Sequence, residues 1–99
     1  MVQHIVSWNY ADGFSDDENK MNAQKVKYEL EELKQVIDGI VELKVYTEIL
    51  PSSNKDIALY SLFESADCLN AYQEHPEHKR VSAYVGMVMK NRVCIDYMI

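Results

Sequence analysis

The sequence predicts an α+β domain in the order strand, helix, strand, strand, helix pair, strand, with four antiparallel strands and the helices on one face of the sheet. Three observations predict it. Three segments alternate in polarity and a fourth short run is apolar on both sides, a long segment between the first two repeats its apolar residues at three- and four-residue steps, and Pro76 divides the region before the last strand into two short helical stretches. Period two means strand, and steps of three and four mean helix. The order is that of the ferredoxin-like β-α-β-β-α-β fold. At 99 residues the chain holds one such domain, residues 1–99. A domain of this size buries roughly 60 to 70% of its unfolded surface, so a partner subunit would add useful burial.

In the first strand Val2, His4, Val6, Trp8 and Tyr10 share one face, and Gln3, Ile5, Ser7 and Asn9 share the other. Asp12-Gly13 turns the chain. Ser15 with Glu18 three residues on is the signature of an N-cap and capping box, helped by Asp16 and Asp17 near the positive end of the helix dipole. The long helix carries Ala23, Val26, Leu30, Leu33 and Ile37 on one stripe and stops at Asp38-Gly39. Its acidic stretch Glu29, Glu31 and Glu32 reads as a solvated face. A second strand from Ile40 to Ile49 groups Val41, Leu43, Val45, Thr47 and Ile49 against Glu42, Lys44, Tyr46 and Glu48. Pro51-Ser52-Ser53-Asn54 is a short polar connection into a third strand, Ile57 to Phe63. Ser65 caps a short helix bearing Leu69 and Tyr72, and Pro76 opens a new one because proline suits a first turn and has no N–H for an interior. In that helix His78, Val81, Val85 and Val88 form a stripe. The last strand runs from Asn91 to Ile99, with Val93, Ile95 and Tyr97 alternating against Arg92, Cys94 and Asp96.

The third strand is apolar on both sides, Ile57, Leu59 and Phe63 on one and Ala58, Tyr60 and Leu62 on the other. One long and one broken helix cover a single sheet face. The opposite face, with Ala58, Tyr60 and Leu62 and with Ile5 and Tyr46 beside them, is expected to be covered by a second copy, giving a homodimer whose sheets pack face to face into a dimeric α+β barrel. Sixteen Asp and Glu against ten Lys and Arg give a net charge of -6, which argues against nucleic acid and anionic membrane as partners. Cys68 and Cys94 form neither a CxxC nor a zinc-spaced cluster, and no apolar run reaches transmembrane length or resembles a secretory leader. The expectation is a cytoplasmic protein without a bound metal or cofactor.

The chemistry-bearing residues are His4, Tyr72 and His78. His4 shares its strand face with Val2, Val6 and Trp8, His78 shares a stripe with valines, and Tyr72 follows Leu69 on the inner side of the preceding helix. All three should therefore point into the space between sheet and helices. A neutral imidazole there can take a proton from an acidic carbon, while a phenol hydrogen-bonds a carbonyl oxygen as negative charge develops on it. A buried hydrogen bond to a carbonyl or water would also explain a histidine on an apolar face, with no catalysis. His75, just before Pro76, is accounted for by a helix start. Glu74, His75, Glu77 and His78 fan out around the helix and lack the HExxH pattern, so they make no metal site.

Val2-Gln3-His4-Ile5-Val6, Gly39-Ile40-Val41, Phe63-Glu64-Ser65, the segment Ala71-Tyr72-Gln73-Glu74-His75-Pro76-Glu77-His78 and the final Arg92-Val93-Cys94-Ile95-Asp96-Tyr97 together resemble the stress-responsive A/B barrel (Dabb) domain family. The resemblance spans nearly the whole chain, and its most specific part is Tyr-x-x-His-Pro-x-His combined with a histidine in the first strand. It implies a dimeric α+β barrel. A plant polyketide cyclase of that family closes a linear polyketide by intramolecular aldol condensation without cofactor or metal. By position, His78 resembles its base, Tyr72 its phenol and His4 the strand histidine lining its pocket. Two functions follow as expectations: a small-molecule enzyme of cofactor-free lyase or cyclase type, or a non-catalytic dimeric module that responds to stress or binds a ligand.

Overall fold

The computed structural model describes residues 1–99. The elements are β1 (Val2–Tyr10), α1 (Asp16–Val36), β2 (Ile40–Tyr46), β3 (Ile57–Phe63), α2 (Ala66–Glu74), α3 (Pro76–Val88) and β4 (Met89–Met98). The strands form one antiparallel sheet in the order β2-β3-β1-β4, with β1 and β3 in the middle. This is the ferredoxin-like topology. No helix is long and apolar enough to cross a membrane.

Local chemistry fixes the helix ends. Ser15 accepts from the Glu18 amide while Glu18 returns the bond to the Ser15 amide at 2.8 Å, closing the capping box of α1. Ser65 caps α2 through the Cys68 amide, and the His75 imidazole caps α3 by accepting from the Glu77 amide at 3.1 Å, with Pro76 in the first turn. Ala23, Val26, Leu30, Leu33 and Ile37 are all buried, so the stripe of α1 faces the sheet. They meet Val2, Val6 and Trp8 of β1, Ile57, Leu59 and Phe63 of β3, and Val81, Val85 and Val88 of α3 in one core. Each large side chain so buried contributes about 1.5 to 3 kcal/mol.

Three features depart from what the sequence predicts. First, β2 ends at Tyr46, and its pairing with β3 shifts between Ile40 and Glu42. The extra residue, Val41, is turned out to 38% exposure, while Leu43 and Val45 stay buried. A bulge inserts one residue and reverses the phase of what precedes it. Second, Glu31 is not part of a solvated face. Its carboxylate accepts from the Val45 amide at 3.0 Å and from Lys27 Nζ at 2.7 Å, while Lys27 also donates to the Val45 carbonyl at 2.8 Å. Burial alone would raise this carboxyl's pKa, but the Lys27 bond and the Val45 amide outweigh it and hold it below the usual carboxylate value. These contacts tie α1 to the open edge of the sheet.

The third departure lies in β4, which begins at Met89 rather than Asn91. Met89 is buried in the core. Strict alternation from there would turn Val93, Ile95 and Tyr97 inward. Instead the β1–β4 register shifts between Ser7 and Asn9, and Asn91 adopts φ 56°, a left-handed conformation that asparagine tolerates better than most residues. Asn91 Nδ2 donates to Asn9 Oδ1 at 3.3 Å, and Lys55 Nζ donates to the Asn91 carbonyl at 3.0 Å. The phase is thereby inverted: Arg92, Cys94 and Asp96 lie on the helix-covered side. Val93 and Ile95, 50% and 58% exposed, stand on the open face with Tyr97, Tyr46 and the half-buried Ile5, Tyr60 and Leu62.

The turn after α1 brings the backbone hard against α2. Gly39 has φ 87°, and a Cβ on it would stand 2.6 Å from Cys68 Sγ and 2.7 Å from Cys68 Cβ. Left-handed strain and overpacking thus act together in Gly39→Ala. The substitution should lower unfolding stability by about 2 kcal/mol or more in a urea titration, and an unchanged midpoint would contradict this reading of the turn.

Candidate active site

The helix-covered face of β1 supplies the floor of the site. His4 is 2% exposed, and its Nδ1 is hydrogen-bonded to Asp96 Oδ1 across the β1–β4 pair, where the two residues stand directly opposite. In this pairing Asp96 Oδ1 accepts from Nδ1–H, which leaves Nε2 as the free nitrogen of that ring. His4 is also packed edge-on to Phe63 and Tyr72, with centroids 6.2 and 6.3 Å away.

Tyr72 comes from α2. It is fully buried, its ring 4.9 Å from that of Phe63 and 4.4 Å from that of His78. Its hydroxyl has no protein hydrogen-bond partner, and neither does Nδ1 of the half-buried His78 on α3. Burial pushes the Tyr72 phenol far above its ordinary pKa, opposed only by the charge of Arg92, so it stays a proton donor. Burial pushes the His78 imidazole down. The Gln73 backbone opposes that shift, while His4, Arg92 and His75 add to it. His78 is consequently neutral at pH 7 and able to accept a proton.

His4, Tyr72 and His78 line one cavity of about 260 Å³. Val6, Trp8, Leu30, Leu59 and Val85 form its apolar wall, and Ser82, Lys90, Asn91 and Arg92 its polar rim. The three residues singled out in the sequence thus converge. His75 does not join them, since its imidazole is spent on the α3 cap. Cys68 packs against the core beneath Gly39.

Asp96 was not recognised from the sequence as a partner of His4, nor Arg92 as part of the cavity. The usable signal was topological. In this strand order the first and last strands are neighbours, so the polar set of β4 had to be tried against His4. His4, Cys94 and Asp96 each offer one ligand atom within 4.8 Å of the others. His4 and Asp96 are engaged with each other, however, and burial followed by the Asp96 charge pushes the Cys94 thiol up and keeps it protonated. The geometry is that of a carboxylate-oriented imidazole.

No curated protein matches the chain by sequence. Among solved structures, a dimeric Bacteroides fragilis protein of unknown function and ferredoxin-like fold is 30% identical with a TM-score of 0.91, the match covering 99% of this chain and 95% of that one. A dimeric ferredoxin-like protein of unknown function from Thermobifida fusca is 22% identical with a TM-score of 0.82, over 99% and 90% of the two chains. The hydroxynitrile lyase of Passiflora edulis shares the fold, at 18% identity and a TM-score of 0.81 over 99% and 92%. The sequence profile of the stress-responsive A/B barrel domain matches residues 2–99. On that match over almost its full length, the chain belongs to the stress-responsive A/B barrel domain family.

Proposed function

We propose that this protein is a cofactor-free small-molecule enzyme of lyase or cyclase type, which removes a proton from a carbon beside a carbonyl, as in aldol-type closure of a polyketide-like compound. The observation that carries the reading is a pair of buried groups without protein partners, the Tyr72 hydroxyl and His78 Nδ1, on the wall of one cavity. Leaving such groups unpaired costs about 1 to 3 kcal/mol each, a cost that function can explain. His78 takes the proton from the carbon, and the electron pair moves onto the carbonyl oxygen as an enolate, which the Tyr72 O–H stabilises. The enolate carbon then bonds to a second carbonyl carbon of the same molecule, and the imidazolium returns its proton to the new alkoxide. His4, held by Asp96, presents its other nitrogen to the cavity and fixes the wall against which the substrate lies. That the Passiflora edulis protein of this fold is a lyase supports a reaction of this class.

The open apolar sheet face is covered, in this proposal, by the same face of a second copy. Exposing large apolar side chains there forgoes their burial, and a two-fold pairing satisfies both faces at once. The relatives from Bacteroides fragilis and Thermobifida fusca, both described as dimeric, support it.

Deuterium exchange of the α-protons of a small β-diketone, followed by NMR, reads the first step without knowledge of the natural substrate. Tyr72→Phe should slow exchange by about 10²-fold or more while leaving stability unchanged or slightly raised, because the deleted hydroxyl has no protein bond to lose. His78→Ala should reduce exchange by about 10² to 10⁴-fold. A folded His78→Ala protein exchanging at the native rate would leave a non-catalytic module as the only reading. Because protonation silences His78 and its pKa is lowered, exchange should be flat near neutrality. It should decline on acidification only below the ordinary histidine value of about 6.5. A midpoint above that value would remove His78 as the base. In sedimentation equilibrium the native protein should behave as twice 11.5 kDa, and Ile95→Asp, which places a charge on each side of the contact, should give a folded monomer.

A further inference from the structure

The rim of the cavity carries a charge that the proposed proton transfer does not use. The chain has sixteen acidic residues against ten Lys and Arg, yet no carboxylate lines the cavity, and Lys90 and Arg92 are the charged groups that do. Lys90 is already neutralised, donating to Asp12 Oδ1 at 2.6 Å. Arg92 takes part in none of the chain's ion pairs.

The position of Arg92 is also built. It follows the inward phase set by the His4–Asp96 and Val6–Cys94 pairs, and that phase exists only because the strand slips at Asn91. The slip is pinned by Asn9 and Lys55. A bulge beside a cavity commonly serves to re-aim a side chain, and here it turns a guanidinium toward Tyr72 and His78 rather than into the open sheet face.

We infer that Arg92 anchors an anionic group, and that the ligands of this cavity are carbonyl compounds bearing a carboxylate. The guanidinium fork matches a carboxylate with two parallel hydrogen bonds and one compensating charge. A phosphate dianion would call for a second free cation, and Lys90 is taken. Arg92 lines the same cavity of about 260 Å³ as Tyr72 and His78, so a carboxylate seated on it lies within one small molecule's length of the reacting groups. The carbonyl half of this assignment rests on the proton-transfer reading above; the carboxylate half stands on the rim alone.

Two probes of one skeleton separate these halves: 4-oxo-4-phenylbutanoate and its primary amide. Calorimetric titration of the native protein should show the carboxylate binding about tenfold or more tightly than the amide. Arg92→Gln, at an exposed position, should erase that preference while amide affinity holds, and Arg92→Lys should restore part of it. Equal affinities in the native protein, no binding of the carboxylate, or a preference that survives Arg92→Gln would overturn the anchor. Deuterium exchange of the bound amide in the native protein reports on the proton-transfer step separately. Exchange with equal affinities for the two probes in the native protein removes the anchor alone, whereas a native carboxylate preference without exchange upholds the anchor and removes the chemistry.

Discussion

The slip in β4 at Asn91 is the constraint on which both faces of the sheet depend. Met89 must enter the core as α3 ends, and an unbroken strand from that point would carry Val93, Ile95 and Tyr97 inward with it. One residue in the left-handed region reverses this. Asp96 then meets His4, Arg92 reaches the cavity, and the apolar set is sent to the uncovered face. A slip of one position exchanges every side chain between faces. The local cost of a positive φ at Asn91 is therefore offset by a polar site on one side and an apolar surface on the other, with Asn9 and Lys55 holding the bulge in place.

The site follows from a second balance, between burial and pairing. Phe63 and the core valines exclude water around Tyr72. Exclusion raises the phenol's pKa and lowers that of His78, so the phenol keeps its proton while the imidazole stays without one. In the proposed reaction, two groups whose pKa values are pushed apart in this way serve as donor and base at neutral pH. His4 contrasts with them because Asp96 satisfies it. The strand histidine is a fixed part of the wall, and the two helical groups keep their hydrogen-bonding capacity.

Much of this was legible in the sequence, for identifiable reasons. Ser15 with Glu18, Ser65 and the His75-Pro76 step are local signals, decided within one helical turn, and each cap forms as read. The third strand could be bounded at Ile57 and Phe63 because both of its faces are apolar and polar segments flank it. His4, Tyr72 and His78 could be brought together because each shares a stripe with core residues. The bulges could not be read. At Val41 and Asn91 the sequence still alternates acceptably on either side, and only the pairing with β3 and β1 determines which phase is inward. Glu31 escapes the reading for a related reason: besides Lys27 on its own helix, its partner is an edge-strand amide 14 residues on, which no helix-face count reveals.

β4 is an edge strand, paired only to β1, so its outer neighbour is what would complete its support. Its two faces alternate residue by residue, Val93, Ile95 and Tyr97 outside and Arg92, Cys94 and Asp96 inside. Covering the outer set in the proposed dimer would therefore restrain the same backbone that positions the carboxylate behind His4 and the guanidinium at the rim. In the lone subunit an edge with one solvated face is among the regions expected to open at low free energy, since its backbone bonds and apolar contacts are shared with fewest neighbours. The proposed assembly and the proposed chemistry thus meet in one strand. Burial gained between subunits would appear as precision in the cavity, even though no side chain of the outer face enters it.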